Sequence, residues 1–253
     1  MNNKSFIGII PARYASSRFP GKPLAKIGGI MMIERVWKRV SEVLDMVYVA
    51  TDDERIFDAV KSFGGNVVMT STEHRSGTDR CMEAYNNIGQ KHDVIINIQG
   101  DEPFIEPKQI KAIMECFDDD DTRIATLVRP YNPENGFDPL FDSNTPKVVL
   151  DKNMNAIYFS RSIVPYIRNK HYLEWPKSHQ YYTHVGMYAY TVETLAEITR
   201  LPQSSLEIAE SLEQLRWIEN GYKIKVGITE AQSIGIDTPE DLQKAEELIK
   251  NMK

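Results

Sequence analysis

Five short apolar runs punctuate residues 1–130, and stretches of helical periodicity separate them. The runs are Phe6 to Ala12, MVYVAT (46–51), NVVMT, DVIINIQ (93–99) and RIATLVR (123–129). Runs this short, apolar throughout rather than alternating, read as strands buried on both faces. Between them, MMIERVWKRVSEV (31–43) places Ile33, Val36, Trp37 and Val40 at helical spacing. Asp52 is expected to open the next helix, which Gly64-Gly65 ends. Further helices are expected from near Thr78 and from near Pro107 to Phe117. Strand alternating with helix requires a parallel sheet wound on both faces, so the fold class is α/β, a doubly wound, mostly parallel sheet.

The second half is less regular. KVVLDKNMNAIYFS (147–160) reads as a hairpin turning around Asp151 to Asn155, and Val185 to Tyr190 as a strand. Residues 165–182, rich in Tyr, Lys, His and Pro, read as an exposed or interface segment. Ser204 to Glu207 is a capping box opening a helix expected to run to about Asn220, where Gly221 closes it. A strand, KIKVGI, and a last helix in GIDTPEDLQKAEELIKNMK complete the chain. Without a repeat or a long linker, the 253 residues read as a single α/β domain. Asp118 to Asp121 reads as a solvated turn.

Chemistry concentrates behind the first strand. Between Arg13 and Lys26 stand four cations (Arg13, Arg18, Lys22, Lys26) and no anion, in a chain of net charge −6. Ser16, Ser17, Pro20, Gly21 and Pro23 share this loop, which is stiff at the prolines and free to turn at Gly21. A cationic loop at the carboxyl end of a strand is where open α/β sheets bind anions, here read as a polyphosphate; a solvated basic loop is the plain alternative. One basic loop in an acidic chain argues against nucleic-acid binding. Neither GxGxxG nor GxxxxGK[ST] occurs. No stretch has the length of a transmembrane helix and the N-terminus lacks signal-peptide regions, so no membrane insertion and a cytoplasmic location are expected. Cys81 and Cys116, far apart and outside any CxxC, read as reduced buried side chains.

QGDEP (99–103) follows the fourth strand, with Gly100 letting the backbone bend and Asp101 free to face a ligand. In GIDTPED, Thr238, Pro239, Glu240 and Asp241 already supply a helix start, so Asp237 is one residue too early to be the cap and is available for another task. Two carboxylates beside a polyphosphate loop suit Mg²⁺, which takes one or two carboxylates and completes its shell with phosphate oxygens and water. SGTDR (76–80), preceded by His74 and Arg75, offers hydroxyls at a helix N-terminus, an anion- or base-binding arrangement as well as a plain cap.

PARYASSRFPGKPL, HRSGTDR, NIQGDEP, KVVLD, YFSRSIVPY, HVGMYAY, LEQLR and GIDTPEDL, in this order, resemble the 3-deoxy-manno-octulosonate (Kdo) cytidylyltransferases of lipopolysaccharide assembly, from Ile7 to about Leu248. The resemblance implies a nucleotide-diphospho-sugar transferase-like, Rossmann-like fold. Residues 1–130 would be mainly the nucleotide-binding half, 131–222 a smaller sugar-binding and dimerisation lobe, and 223–253 a return to the nucleotide half. It implies attack of the Kdo anomeric hydroxyl on the α-phosphorus of CTP, with Mg²⁺ as cofactor. Arg13 and Lys22 would neutralise the triphosphate, Asp101 and Asp237 would hold the metal, and Arg75, Ser76 and Thr78 would line the nucleotide pocket. Arg161 would pair with the Kdo carboxylate, for which a guanidinium offers parallel hydrogen bonds. Gln99, His184, Tyr188, Glu213 and Gln214 would face the sugar; His184 and Tyr188, four apart on an alternating strand, would share a face. On the residues alone, His184 would be structural, Glu213 a solvated helix acid and Tyr188 core. A homodimer through the second lobe is also implied. Residues 168–180, with Trp175-Pro176, follow no pattern of the family, and Ser205 stands where many relatives have Pro. A transferase acting on another acid sugar or nucleobase, or an inactive nucleotide-binding protein, is the alternative at this stage.

Overall fold

A computed structural model describes residues 4–15, 18–231 and 235–251. Ser16 and Ser17 of the basic loop, the first three residues of the N-terminus and the last two residues of the chain lie outside the described residues. Along the chain the elements are β1 (Phe6–Ala12), β2 (Lys26–Ile27), β3 (Ile30–Met31), α1 (Met32–Ser41), β4 (Val47–Thr51), α2 (Glu54–Ser62), β5 (Asn66–Met69), α3 (Gly77–Ile88), β6 (Val94–Asn97) and α4 (Pro107–Glu115). There follow β7 (Ile124–Pro130), β8 (Lys147–Leu150), β9 (Ala156–Ser160), α5 (Trp175–Ser178), β10 (Tyr182–Thr191), α6 (Val192–Ile198), α7 (Ser205–Glu210), α8 (Gln214–Glu219), β11 (Lys225–Ile228) and α9 (Pro239–Asn251).

The chain divides into two units. One holds Asn3–Lys111, Thr191–Thr199 and Gln232–Lys253. Its sheet is parallel, with β1 flanked by β6 and β4, and β4 paired with β5. The apolar runs become strands because their side chains are buried in both directions: Ile7, Ile9 and Ile10 are fully enclosed, as are Ile95 and Ile96. α1 packs on β1 and β4, α2 on β4 and β5, and α3 on β1, β5 and β6. Ile27 and Met32 meet Ile236 and Ala245 in a small core that fixes α9 near the basic loop.

The other unit holds Ala112–Tyr190 and Arg200–Ala231. Here β7 pairs parallel with β11 and antiparallel with β10, and β8 pairs antiparallel with β10 and β9. The expected hairpin is β8–β9; the Asp151 carboxylate holds its turn by accepting from the Asn153 and Asn155 amides, each at 2.8 Å. Trp175 and Tyr181 are buried with Tyr131 and Leu140, so the aromatic segment 165–182 is partly core, whereas Tyr166, Tyr172 and Leu173 are exposed.

Three local expectations change. Asp53, not Asp52, caps α2: it accepts from the Arg55 amide at 2.9 Å, while Asp52 turns to the buried Arg80. The capping box forms, with the Ser204 amide donating to Glu207 at 3.2 Å, but the helix stops after Glu210. Ser211 adopts φ 51° and ends the helix, and α8 starts anew at Gln214. Arg161 donates to the carbonyls of Glu210 and Ser211, which the end of the helix leaves without intrahelical partners. β10, longer than expected, is not regular: its register with β7 shifts between Val185 and Tyr188. Simple alternation therefore cannot be what relates His184 to Tyr188. Cys81 and Cys116 are free and buried. Among the described residues no helix is long and apolar enough to cross a membrane.

Candidate active site

β1 runs straight into the basic loop, whose shape depends on Gly21. Its φ is +72°, its amide donates to the Tyr14 carbonyl at 2.9 Å, and a Cβ would stand 3.1 Å from the Tyr14 ring. That ring carries the Arg55 guanidinium 3.3 Å from its centroid. Pro23, inside the single turn Lys22–Leu24, stiffens the backbone under Lys22. Together with β1 and the turn after β6, the loop encloses a cavity of about 350 Å³ lined by Arg13, Arg18, Lys22, Gln99, Gly100 and Asp101. Arg13 lines the cavity, and its Nη2 is buried with no hydrogen-bond partner among the described residues. Burial first, and the neighbouring Arg80 second, lower the Arg13 pKa, yet a guanidinium stays charged. A buried, charged donor without an acceptor is costly, and the cations that line the cavity favour an anion in it.

The carboxylates are set by close backbone approach. A Cβ on Gly100 would lie 2.9 Å from the Pro11 carbonyl, so only glycine lets this turn lie against β1. The Asp101 carbonyl accepts from the Ile236 amide at 2.9 Å, which brings the segment before α9 alongside. The Asp241 carboxylate accepts from the Thr238 hydroxyl and from the Asp237 and Thr238 amides, bonds that hold it below the usual range, and the Asp241 amide donates back to Thr238 at 3.2 Å. Asp237 is thus spared from capping its helix. Nζ of Lys22 lies 2.7 Å from Asp101 and 3.1 Å from Asp237, and Arg18 stands 3.2 Å from Asp237.

Both carboxylates therefore reach one cationic point at the edge of a cavity fit for phosphates, a donor set that suits a hard divalent cation. Among the described residues no group of three or more His, Cys, Asp and Glu could form an all-protein metal cage. Mg²⁺ requires none, since it retains water and shares phosphate oxygens.

Of the other residues expected on the nucleotide side, Ser76 caps α3, accepting from the Asp79 amide at 3.1 Å; Thr78 is buried and Arg75 exposed. Gln99 lines the cavity. His74 bonds Glu83, which also accepts from the Ser71 amide. The sequence reading missed Arg80, fully buried and bonded to Asp52 (2.6 Å) and the Thr70 hydroxyl (2.5 Å). Its charge inside an apolar helix face was the available signal.

In the other unit, Arg161 donates from Nε to the Glu210 carbonyl (2.6 Å), from Nη1 to Ser143 (2.8 Å) and from Nη2 to Ser211 (3.2 Å). Three of its five N–H groups are used, and one on each Nη remains. Around it, Glu210 accepts from the Arg161 amide and the Ser160 hydroxyl, and the buried Lys147 donates to the carbonyls of Asp142, Thr145 and Arg161. Neither Lys147 nor Glu210 stood out in the sequence, because each looks like a surface charge.

His184 packs against the Phe159 and Tyr188 rings, 5.2 and 5.3 Å between centroids, and burial pushes its pKa down to about 4. The Thr126 hydroxyl donates to the Met187 carbonyl at 2.8 Å, so it must accept from Nε2 of His184 at 2.9 Å. This defines a neutral Nε2–H tautomer with Nδ1 as acceptor. The Tyr188 hydroxyl and Nε2 of Gln214 are buried with no hydrogen-bond partner among the described residues. Burial, with the Glu213 carboxylate, holds the Tyr188 pKa well above the usual value. Glu213 also pairs with Arg216 at 3.0 Å. Tyr188 and His184 do meet, through the bulge and not through alternation.

A family model described as cytidylyltransferase matches residues 7–224. The 3-deoxy-manno-octulosonate cytidylyltransferase of Parabacteroides distasonis is 67% identical over 241 residues, 95% of this chain and 96% of that one. A solved CMP:2-keto-3-deoxy-manno-octonic acid synthetase complexed with CTP superposes with a TM-score of 0.89 at 40% identity, covering 98% of this chain and 100% of the other. The 4-diphosphocytidyl-2C-methyl-D-erythritol synthase of Anaerococcus prevotii, 15% identical with a TM-score of 0.62 over 98% and 100% of the two chains, shares the fold alone. With its α/β fold, mostly parallel mixed sheet and full-length identity, the chain belongs to the 3-deoxy-manno-octulosonate cytidylyltransferase family.

Proposed function

We infer that the protein activates Kdo with CTP, forming CMP-Kdo and pyrophosphate, and that its residues divide the work as follows. Arg13 and Lys22 take the triphosphate; the observation that carries this is the cavity that both line together with Arg18. Charge moves onto pyrophosphate as it leaves, and fixed cations already in place favour that change without reorganising. Arg75, Ser76 and Thr78, around the start of α3, line the remainder of the nucleotide site. Asp101 and Asp237 would hold Mg²⁺, which when bound would polarise the α-phosphate and favour an ionised attacking hydroxyl.

Arg161 receives the Kdo carboxylate on its two remaining outer N–H groups, while the carbonyls on its other donors keep the guanidinium plane fixed. Neutral His184 accepts a sugar hydroxyl at Nδ1; Tyr188 and Gln214 supply the buried donors that lack partners, and Glu213 completes the polar set of that unit, while Gln99 is assigned to the sugar on the family motif alone. We assign the family's lipopolysaccharide role to this protein, and a homodimer formed through the face that exposes Tyr166, Tyr172 and Leu173. The test is pyrophosphate release from CTP and Mg²⁺ with Kdo present or omitted. Release that needs both Kdo and metal supports the reading; CTP binding without release would direct attention to another acid sugar.

A further inference from the structure

Two carboxylates that converge on one point would bind a divalent cation unaided, unless something already holds that point. Here something does. Nζ of Lys22 lies within 3.1 Å of both Asp101 and Asp237, and its side chain is only 14% exposed. We propose that Lys22 is a place-holder for the metal: its ammonium occupies the two-carboxylate site until nucleotide arrives, and then moves to the phosphates. This rests on the reading of Asp101 and Asp237 as the metal carboxylates.

The geometry supports an exchange and not a permanent bridge. An ammonium lying between the two carboxylates weakens the hold of a divalent cation on them, because like charges repel at contact distance. The Lys22 backbone is anchored by the left-handed Gly21 and by Pro23, so the swing is confined to the four-carbon stem. Lys22 lines the same cavity as Arg13 and Arg18, so phosphate oxygens there would lie within reach of Nζ once it leaves the carboxylates. Arg18, 65% exposed and 3.2 Å from Asp237, adds a second, looser cation on the same carboxylate. Phosphates drawing Lys22 away unmask the carboxylates, and a metal on the carboxylates frees Lys22 for phosphate. The two ligands therefore assist each other, and by linkage each raises the other's affinity by the same factor.

The experiment measures Mn²⁺ binding to the full-length protein without nucleotide, by electron paramagnetic resonance of free Mn²⁺. Lys22→Met should bind Mn²⁺ at least tenfold more tightly than the wild type, while Lys22→Arg, which keeps the charge, should stay weak. Adding Asp237→Asn to Lys22→Met should abolish the gain. Equal Mn²⁺ affinity in wild type and Lys22→Met, or no detectable binding by either, overturns the place-holder. A gain that survives both Asp101→Asn and Asp237→Asn instead overturns the assignment of the metal carboxylates. Circular dichroism confirms that each variant is folded before binding is compared.

Discussion

Lys22, Asp101 and Asp237 form one electrostatic unit, so replacing any of them changes what the other two experience. Asp101→Asn and Asp237→Asn should each lower kcat by two to three orders of magnitude, about 3–4 kcal/mol of barrier, with the far-UV spectrum unchanged. Near-normal turnover in either variant would remove that carboxylate from the mechanism. His184 makes a prediction of different sign. Burial pushes its pKa from the usual 6.5 down to about 4 on folding, so the fold tolerates only the neutral ring. The associated stability is fully present above pH 6.5 and is lost as pH falls toward 4, because the unfolded chain takes up the proton first. Between pH 7.5 and 5 the wild type should lose about 2 kcal/mol relative to His184→Gln, read from urea denaturation at each pH. A pH-independent difference would mean that the ring is solvated.

At the scale of elements, the site depends on places where one backbone comes against another. Gly100→Ala would press a methyl group to 2.9 Å from the Pro11 carbonyl, and backbone cannot yield as a flexible side chain does. It should cost about 1–3 kcal/mol in thermal or chemical denaturation and raise the KM for CTP, since Asp101 is the next residue. The corner between β9 and α7 is the equivalent at the proposed Kdo site. Glu210→Gln replaces an anion that accepts from the Arg161 amide and the Ser160 hydroxyl, at 2.9 and 2.7 Å, with a group having one acceptor oxygen. A loss of about 1.5–3 kcal/mol and a raised KM for Kdo are expected, with the KM for CTP less affected. The same corner is where the helix opened by S-x-x-E stops. A capping box describes only a beginning; the end lies at the left-handed Ser211, beside a carbonyl bound by an arginine 49 residues away along the chain.

For the whole molecule, the assembly prediction is a dimer in sedimentation equilibrium, with Leu173→Glu and Tyr166→Glu shifting it toward monomer; a monomeric wild type would discard the proposed interface. Much of the architecture was legible in residue order alone. Strands such as Phe6–Ala12 are uniformly apolar because helices cover a parallel sheet, and that demand is local enough to be written into consecutive residues. Family motifs such as PGKPL, QGDEP and GIDTPED carried the reaction class, and local capping chemistry already marked Asp237 as unused. Other features depended on partners distant in sequence: Lys22 bridging residues 79 and 215 positions away, Arg161 held by Ser143 and Glu210, and Asp52 turned from its helix to Arg80. The stranded donors of Arg13, Tyr188 and Gln214 belong to the same class. Periodicity reports which way a side chain faces, but whether its polar atom finds a partner depends on every chain segment packed around it, and only the tertiary structure decides that.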